Sequence, residues 1–145
     1  MTIEQIQQEV ELEFTSFEDW MDKYNHLIEM GKSLEVIDPQ YKVQNNLISG
    51  CQSRVWLHAE LREGKIHFTA DSDAVITKGI VSLLIRVLSG QTPDAIATAD
   101  MSFIDNIGLK EHLSPTRSNG LMSMLKQMKL YGMAFKLKLQ KGEAN

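Results

Sequence analysis

Apolar positions along the chain follow two periods, and the change from one to the other divides it. Ile3, Ile6 and Val10 form one stripe at helical spacing behind Thr2, and Gln5 completes the spacing of a capping box. Phe17, Trp20, Met21, Tyr24, Leu27 and Ile28 form a second stripe, which predicts a helix capped by Ser16 and closed by Gly31. Neither period persists from Lys32 to Ser49, and Asp38-Pro39 reads as a turn. From Val55 the period is two: Val55, Leu57, Ala59 and Leu61 alternate with Arg54, Trp56, His58 and Glu60. After Arg62-Glu63-Gly64-Lys65, Ile66, Phe68 and Ala70 alternate with His67 and Thr69. A two-residue turn at Glu63-Gly64 sets Leu57 against Ala70, Ala59 against Phe68 and Leu61 against Ile66, so the apolar faces of an antiparallel hairpin coincide. An isolated hairpin is marginal in water, so a third strand is expected from Gln44 to Ile48.

The helical period then returns. Asp71-Ser72-Asp73 opens a helix running to Gly90, with Ile76, Ile80, Leu83, Leu84 and Val87 inward, the most buried of the chain. Thr92-Pro93-Asp94 opens a short helix, with cap, proline and acid in the favoured order. A looser segment from Asp100 to Leu113 leads to Ser114-Pro115, which begins the last long helix on Leu121, Met124, Leu125 and Met128. Phe135 to Leu139 alternates, which fits either a helix end or an extended tail. Helices before and after one small antiparallel sheet of about three strands predict an α+β fold, a single domain over residues 1–145.

Composition narrows the classes. Net charge is −4 with a pI near 5.5, so there is no basic field to collect nucleic acid or anionic lipid. The apolar run from Ile80 to Leu88 is broken by Ser82 and Arg86 and is too short to span a bilayer. The start, Met1-Thr2-Ile3-Glu4-Gln5, lacks the basic and apolar segments of a secretory signal. With a single cysteine, no internal disulfide forms, and the reducing cytosol is the expected location.

That cysteine, Cys51, follows Gly50 and precedes the first strand, with the small polar Ser49, Gln52 and Ser53 around it. Gly50 marks a sharp bend with Cys51 at its tip. The thiol reads either as a reactive group on a tight loop or as an inert small hydrophobe. The four histidines, His26, His58, His67 and His112, share no metal-ligand spacing. His58 lies seven residues along the strand from Cys51, roughly 23 Å at strand rise, too far for a catalytic base, which leaves His112. Asp71 and Asp73 read as a carboxylate pair or as helix-start acids, and the eight methionines as core packing. Isolated glycines give no phosphate-cradling loop. Arg117 stands in the first turn of the last helix, where a cation is mildly unfavourable. It either holds a core carboxylate or stabilises an anion such as a thiolate or persulfide.

Three motifs in order resemble the SufE-like sulfur acceptors that work with cysteine desulfurases. They are Asn46 with Gly50-Cys51-Gln52-Ser53-Arg54-Val55-Trp56, then Asp71-Ser72-Asp73-Ala74 with Lys78-Gly79, then Leu113-Ser114-Pro115-Thr116-Arg117 with Gly120-Leu121. The similarity covers nearly the whole chain. It departs at Lys42, often arginine in the family, and at the Phe135 to Leu139 alternation. The resemblance implies the SufE/NifU-like fold and a role as an accessory protein rather than a stand-alone enzyme. On this reading Cys51 takes persulfide sulfur from a desulfurase, stimulates that enzyme, and delivers the sulfur to an iron–sulfur scaffold. It also implies that pyridoxal phosphate belongs to the desulfurase, that this chain binds no cofactor, and that it is a monomer or weak homodimer. A persulfide carrier must shelter its sulfur and also present it. The thiol is therefore expected inward in the free protein, with Leu47 to Ser53 swinging out about Gly50 on docking. The alternatives are a docking adaptor in which Cys51 is structural, or an iron–sulfur scaffold, which needs three or four thiolates per cluster.

Overall fold

The computed structural model describes residues 1–142. Helix α1 (Ile3–Thr15) starts on the expected capping box: Gln5 N–H donates to Thr2 Oγ1 at 3.1 Å, and Thr2 N–H to Gln5 Oε1 at 2.9 Å. Helix α2 (Trp20–Lys32) begins later than its apolar stripe suggests. Asp19 is its cap, accepting from Asp22 N–H at 3.1 Å, because Ser16 is already spent closing α1. Leu27 is buried on the inner face, but Met21 is 66% exposed and does not belong to it. Gly31 does not close α2. It lies buried in the last turn, facing Gly79, and Ser33 is the C-cap.

Strands β1 (Val55–Arg62) and β2 (Lys65–Ser72) pair in the expected register, with Leu57 opposite Ala70, Ala59 opposite Phe68 and Leu61 opposite Ile66. Glu63 and Gly64 both have left-handed φ, 51° and 79°, as a two-residue hairpin turn requires. The third strand is absent among the described residues, whose sheet has two strands. A 3₁₀ turn at Gln44–Asn46 takes up the local backbone, and only Leu47 bridges to Trp56 beyond it. Single bridges from Val36 to Ala70 and from Ile66 to Gln91 support the hairpin in its place.

Helix α3 (Val75–Leu88) packs under the sheet with Ile80, Leu83, Leu84 and Val87 at 1% exposure or less. Asp71 and Ser72 belong to β2 rather than to the start of this helix. A Cβ on Gly79 would lie 2.3 Å from the Leu27 carbonyl oxygen, so this glycine sets how closely α2 and α3 approach. Helix α4 (Pro93–Ala97) is capped by Thr92, and the looser segment folds as two single turns, α5 (Phe103–Asn106) and α6 (Leu109–His112). Helix α7 (Pro115–Gln140) is capped by Ser114 and buries Leu121, Met124, Leu125 and Met128. It continues through Phe135 to Leu139, which settles that segment as helix, with Leu137 and Leu139 exposed. Among the described residues, no helix is long and apolar enough to cross a membrane.

Candidate functional site

The hydrogen bond from Ile48 N–H to Val55 C=O, 2.9 Å, closes a loop over residues 49–54. Arg54 pins its far end: its N–H donates to Asp73 Oδ1 at 3.0 Å and its Nε to Oδ2 at 3.2 Å, while Ser72 Oγ donates to its carbonyl at 2.8 Å. Lys42 and Arg54 both lie over the Trp56 ring, 4.6 and 5.5 Å from its centroid. The two acids read as a possible pair therefore do separate work. Asp73 holds the loop, and Asp71 takes Lys42 at 2.9 Å and Lys78 at 3.4 Å. Burial raises the Asp71 carboxyl, but the hydrogen bonds from Lys42 and the Ser72 N–H, with both lysine charges, outweigh it and hold the group low. Asn46 of the first motif is also structural, donating to Tyr41 C=O at 2.6 Å.

Within that frame the loop folds onto α7. Gly50 has φ +89°, and a Cβ there would stand 2.4 Å from Ser123 Oγ. Cys51 follows, half-buried, its thiol turned inward and donating to the Gly120 carbonyl at 3.6 Å. A Cβ at position 120 would stand 3.5 Å from Cys51 Sγ, an ordinary contact, so the loop packs directly on the helix at this point. Burial pushes the thiol pKa up, so Cys51 rests as a neutral thiol.

Beside the sulfur lies a cleft of about 200 Å³, with Ile80 and Met124 as its apolar wall. Gln52 and Ser53 of the loop border it, Gln52 exposed and Ser53 half-buried. Arg117, the third residue of α7, borders it as well, so Cys51, Gln52, Ser53 and Arg117 line one cleft, while Gly50 stands beside it against Ser123. Arg117 is exposed and has no ion-pair partner among the described residues, which removes the core-carboxylate alternative. Among the described residues, no histidine borders the cleft. His58 stacks on Tyr41 at 3.5 Å and bonds Glu60, while His112 stacks on Trp20 at 3.8 Å and bonds the Gly108 carbonyl. The arrangement offers a half-buried potential nucleophile at the edge of a cleft. Among the described residues, no group of three or more histidine, cysteine, aspartate or glutamate side chains is placed to hold a metal.

Two residues of the site escaped the sequence reading, Thr77 of α3 and Ser123 of α7. The only signal for Thr77 was a polar residue three positions before the inward Ile80.

Comparison with known proteins agrees with this geometry. A solution structure of a hypothetical protein from Thermus thermophilus superposes with TM-score 0.76 over 92% of this chain and 97% of that one, at 24% identity, and shares the fold. An uncharacterised SufE-like protein of Synechocystis is 38% identical over 130 residues, 90% of this chain and 82% of that protein. A SufE-like chloroplastic/mitochondrial protein of Arabidopsis thaliana is 40% identical over 122 residues, 83% of this chain. The match spans about a third of the Arabidopsis protein, 33% of its length. The family model for the Fe-S metabolism associated domain matches residues 8–131, which include the Cys51 loop, the Arg54–Asp73 clamp and the start of α7; this chain belongs to the SufE family.

Proposed function

We propose that Cys51 is a sulfur acceptor and carrier for a pyridoxal-phosphate cysteine desulfurase. In this reading the protein stimulates the desulfurase and hands the sulfur to an iron–sulfur scaffold in the cytosol. One observation carries the reading: the only thiol sits on a glycine-bent loop, half-buried beside a cleft bordered by Arg117. The Cys51 thiolate attacks the outer sulfur of the desulfurase persulfide. A new bond forms between Cys51 Sγ and that sulfur as its bond to the desulfurase cysteine breaks. The desulfurase thiolate leaves and accepts the proton that Cys51 released, so no external oxidant or reductant is consumed.

A buried neutral thiol is a poor nucleophile, so the resting arrangement supports storage rather than attack. Docking must therefore favour an outward loop, and the desulfurase supplies the contacts that make the difference. Arg117 then lies where its charge stabilises the incoming anionic sulfur or contacts the partner. The test is incubation with a desulfurase and free cysteine, followed by intact mass. The wild type should gain one sulfur atom per chain, Arg117→Ala should gain it more slowly with little change in melting temperature, and Cys51→Ser should gain none. A Cys51→Ser protein that still stimulated the desulfurase fully would make the chain a docking adaptor instead.

A further inference from the structure

The cleft beside Cys51 contains a donor that the resting protein leaves unused. Thr77 is 5% exposed, yet its hydroxyl has no hydrogen-bond partner among the described residues. No fully enclosed side-chain oxygen or nitrogen among those residues lacks a partner, so the Thr77 oxygen must be the part of the residue that reaches open space, and the space it borders is this cleft. Two helices also begin there. Thr77 is the third residue of α3, whose first turn has no side-chain cap because Ala74 occupies the cap position. Thr116 and Arg117 are the second and third residues of α7. The positive ends of both helix dipoles thus lie at one cleft, and among the described residues Arg117 and Cys51 are the charged or titratable side chains bordering it.

These groups await an anion, and Cys51 Sγ in its resting place is already bonded to Gly120. A persulfide extends the side chain by one S–S bond, about 2 Å, into a space of about 200 Å³. A persulfide S–H is more acidic than a thiol, so the added sulfur is anionic near neutral pH. We infer that the cleft cradles the terminal sulfur of a Cys51 persulfide, and that Thr77 positions this sulfur by donating its hydroxyl hydrogen bond to it. The inference rests on the sulfur-acceptor reading and adds to it a residue that holds the cargo. It also accounts for a polar side chain on the inward face of the most apolar helix, where Ile80 beside it and Met124 of α7 offer an anion nothing.

The test compares wild type, Thr77→Val, which keeps the shape and loses the donor, and Thr77→Ser, which keeps the donor and loses a methyl. Each is loaded with inorganic polysulfide and checked for one added sulfur by intact mass. The pH dependence of alkylation of the loaded protein then gives the persulfide titration midpoint. Loss of one hydrogen bond to a charged group should raise that midpoint by about one pH unit in Thr77→Val. Thr77→Ser should return it close to the wild-type value. Equal midpoints in wild type and Thr77→Val overturn the inference, as does a Thr77→Ser midpoint that follows Thr77→Val, since the methyl would then be what matters. Loading with polysulfide needs no desulfurase, so this outcome is read separately from whether Cys51 accepts sulfur from the enzyme.

Discussion

Gly50→Ala tests whether the Cys51 loop is a hinged element or a fixed part of the core. Two costs follow from the geometry. At φ +89° an alanine is strained by about 1–2 kcal/mol, which no rearrangement of the neighbours relieves. The new methyl would also lie 2.4 Å from Ser123 Oγ and 3.2 Å from Ser123 Cβ. The hydroxyl can rotate away, but the Cβ contact requires a shift of a few tenths of an ångström. On the hinge reading, both costs fall on the inward arrangement and are relieved when the loop swings out. The anchors, Ile48–Val55 and Arg54–Asp73, lie outside the strained residue, so the loop can swing out without unfolding the strands. A bias of about 1.4 kcal/mol toward the outward form is about tenfold in its population. Alkylation of Cys51 by a bulky maleimide at fixed pH should therefore be about tenfold faster in Gly50→Ala, with the melting temperature lowered by about 3–6 °C because the strain falls on the populated resting form. Gly50→Ala/Ser123→Ala should fall between the two, because it relieves the contact with Ser123 Oγ and not the dihedral. A loss of several kcal/mol in denaturant unfolding with no gain in alkylation rate would show a rigid loop and refute the hinge.

Gly79→Ala should cost about 2 kcal/mol in urea unfolding. Its methyl meets the Leu27 carbonyl oxygen at 2.3 Å and carbon at 2.7 Å, backbone that cannot rotate aside, and this outweighs the gain of about 1 kcal/mol in helix propensity. Gly120→Ala is the control, since its nearest contact is an ordinary 3.5 Å and its stability should hold or rise. Acid should weaken the fold partly through Glu13. The Arg86 hydrogen bond first, then His26 and the Arg86 charge, overcome burial and hold its carboxyl below the usual range. The folded form therefore binds this proton less readily than the unfolded chain. The stabilisation is complete above about pH 4.3 and is lost as pH falls through the lower folded value. In Arg86→Leu the stability difference between pH 7 and pH 3, measured by urea unfolding, should be smaller than in wild type. An equal difference would show that the pair does not set the acid limit.

The parts of the fold that were legible in the sequence are those where one local signal has a single structural reading. The hairpin register followed from period-two alternation about Glu63-Gly64, because a slip by one residue would turn every apolar side chain outward. Gly31 had two readings, a helix-closing glycine or a place of close approach. What decides between them is Gly79, on a different helix and far along the chain. Ser16 and Asp19 were both competent caps for α2, and the choice depended on where α1 ended. The third strand was expected on the premise that a hairpin needs another strand. In fact α3 covers its inner face and isolated bridges hold its edges, so the premise failed rather than the pattern.

The site divides along the same line. Cys51 and Arg117 each broke a local expectation, a lone thiol at a glycine bend and a cation at the wrong end of a helix, and such departures are visible one residue at a time. Thr77 breaks no rule of sequence, because a threonine in the first turn of a helix is ordinary. It becomes conspicuous only once packing has buried most of the residue and left its hydroxyl facing the cleft, unpartnered among the described residues. The acids that looked most like chemistry, Asp71 and Asp73, secure the Lys42–Trp56 face and the far end of the loop. That division has a mechanical logic. On the proposed carrier reading the chain needs one mobile segment of defined length, and ion-paired contacts such as Arg54–Asp73 belong at its boundaries. The residues inside it, Gly50 to Ser53, hold their resting position through weaker contacts, the 3.6 Å thiol hydrogen bond and the packing on α7, which docking can replace.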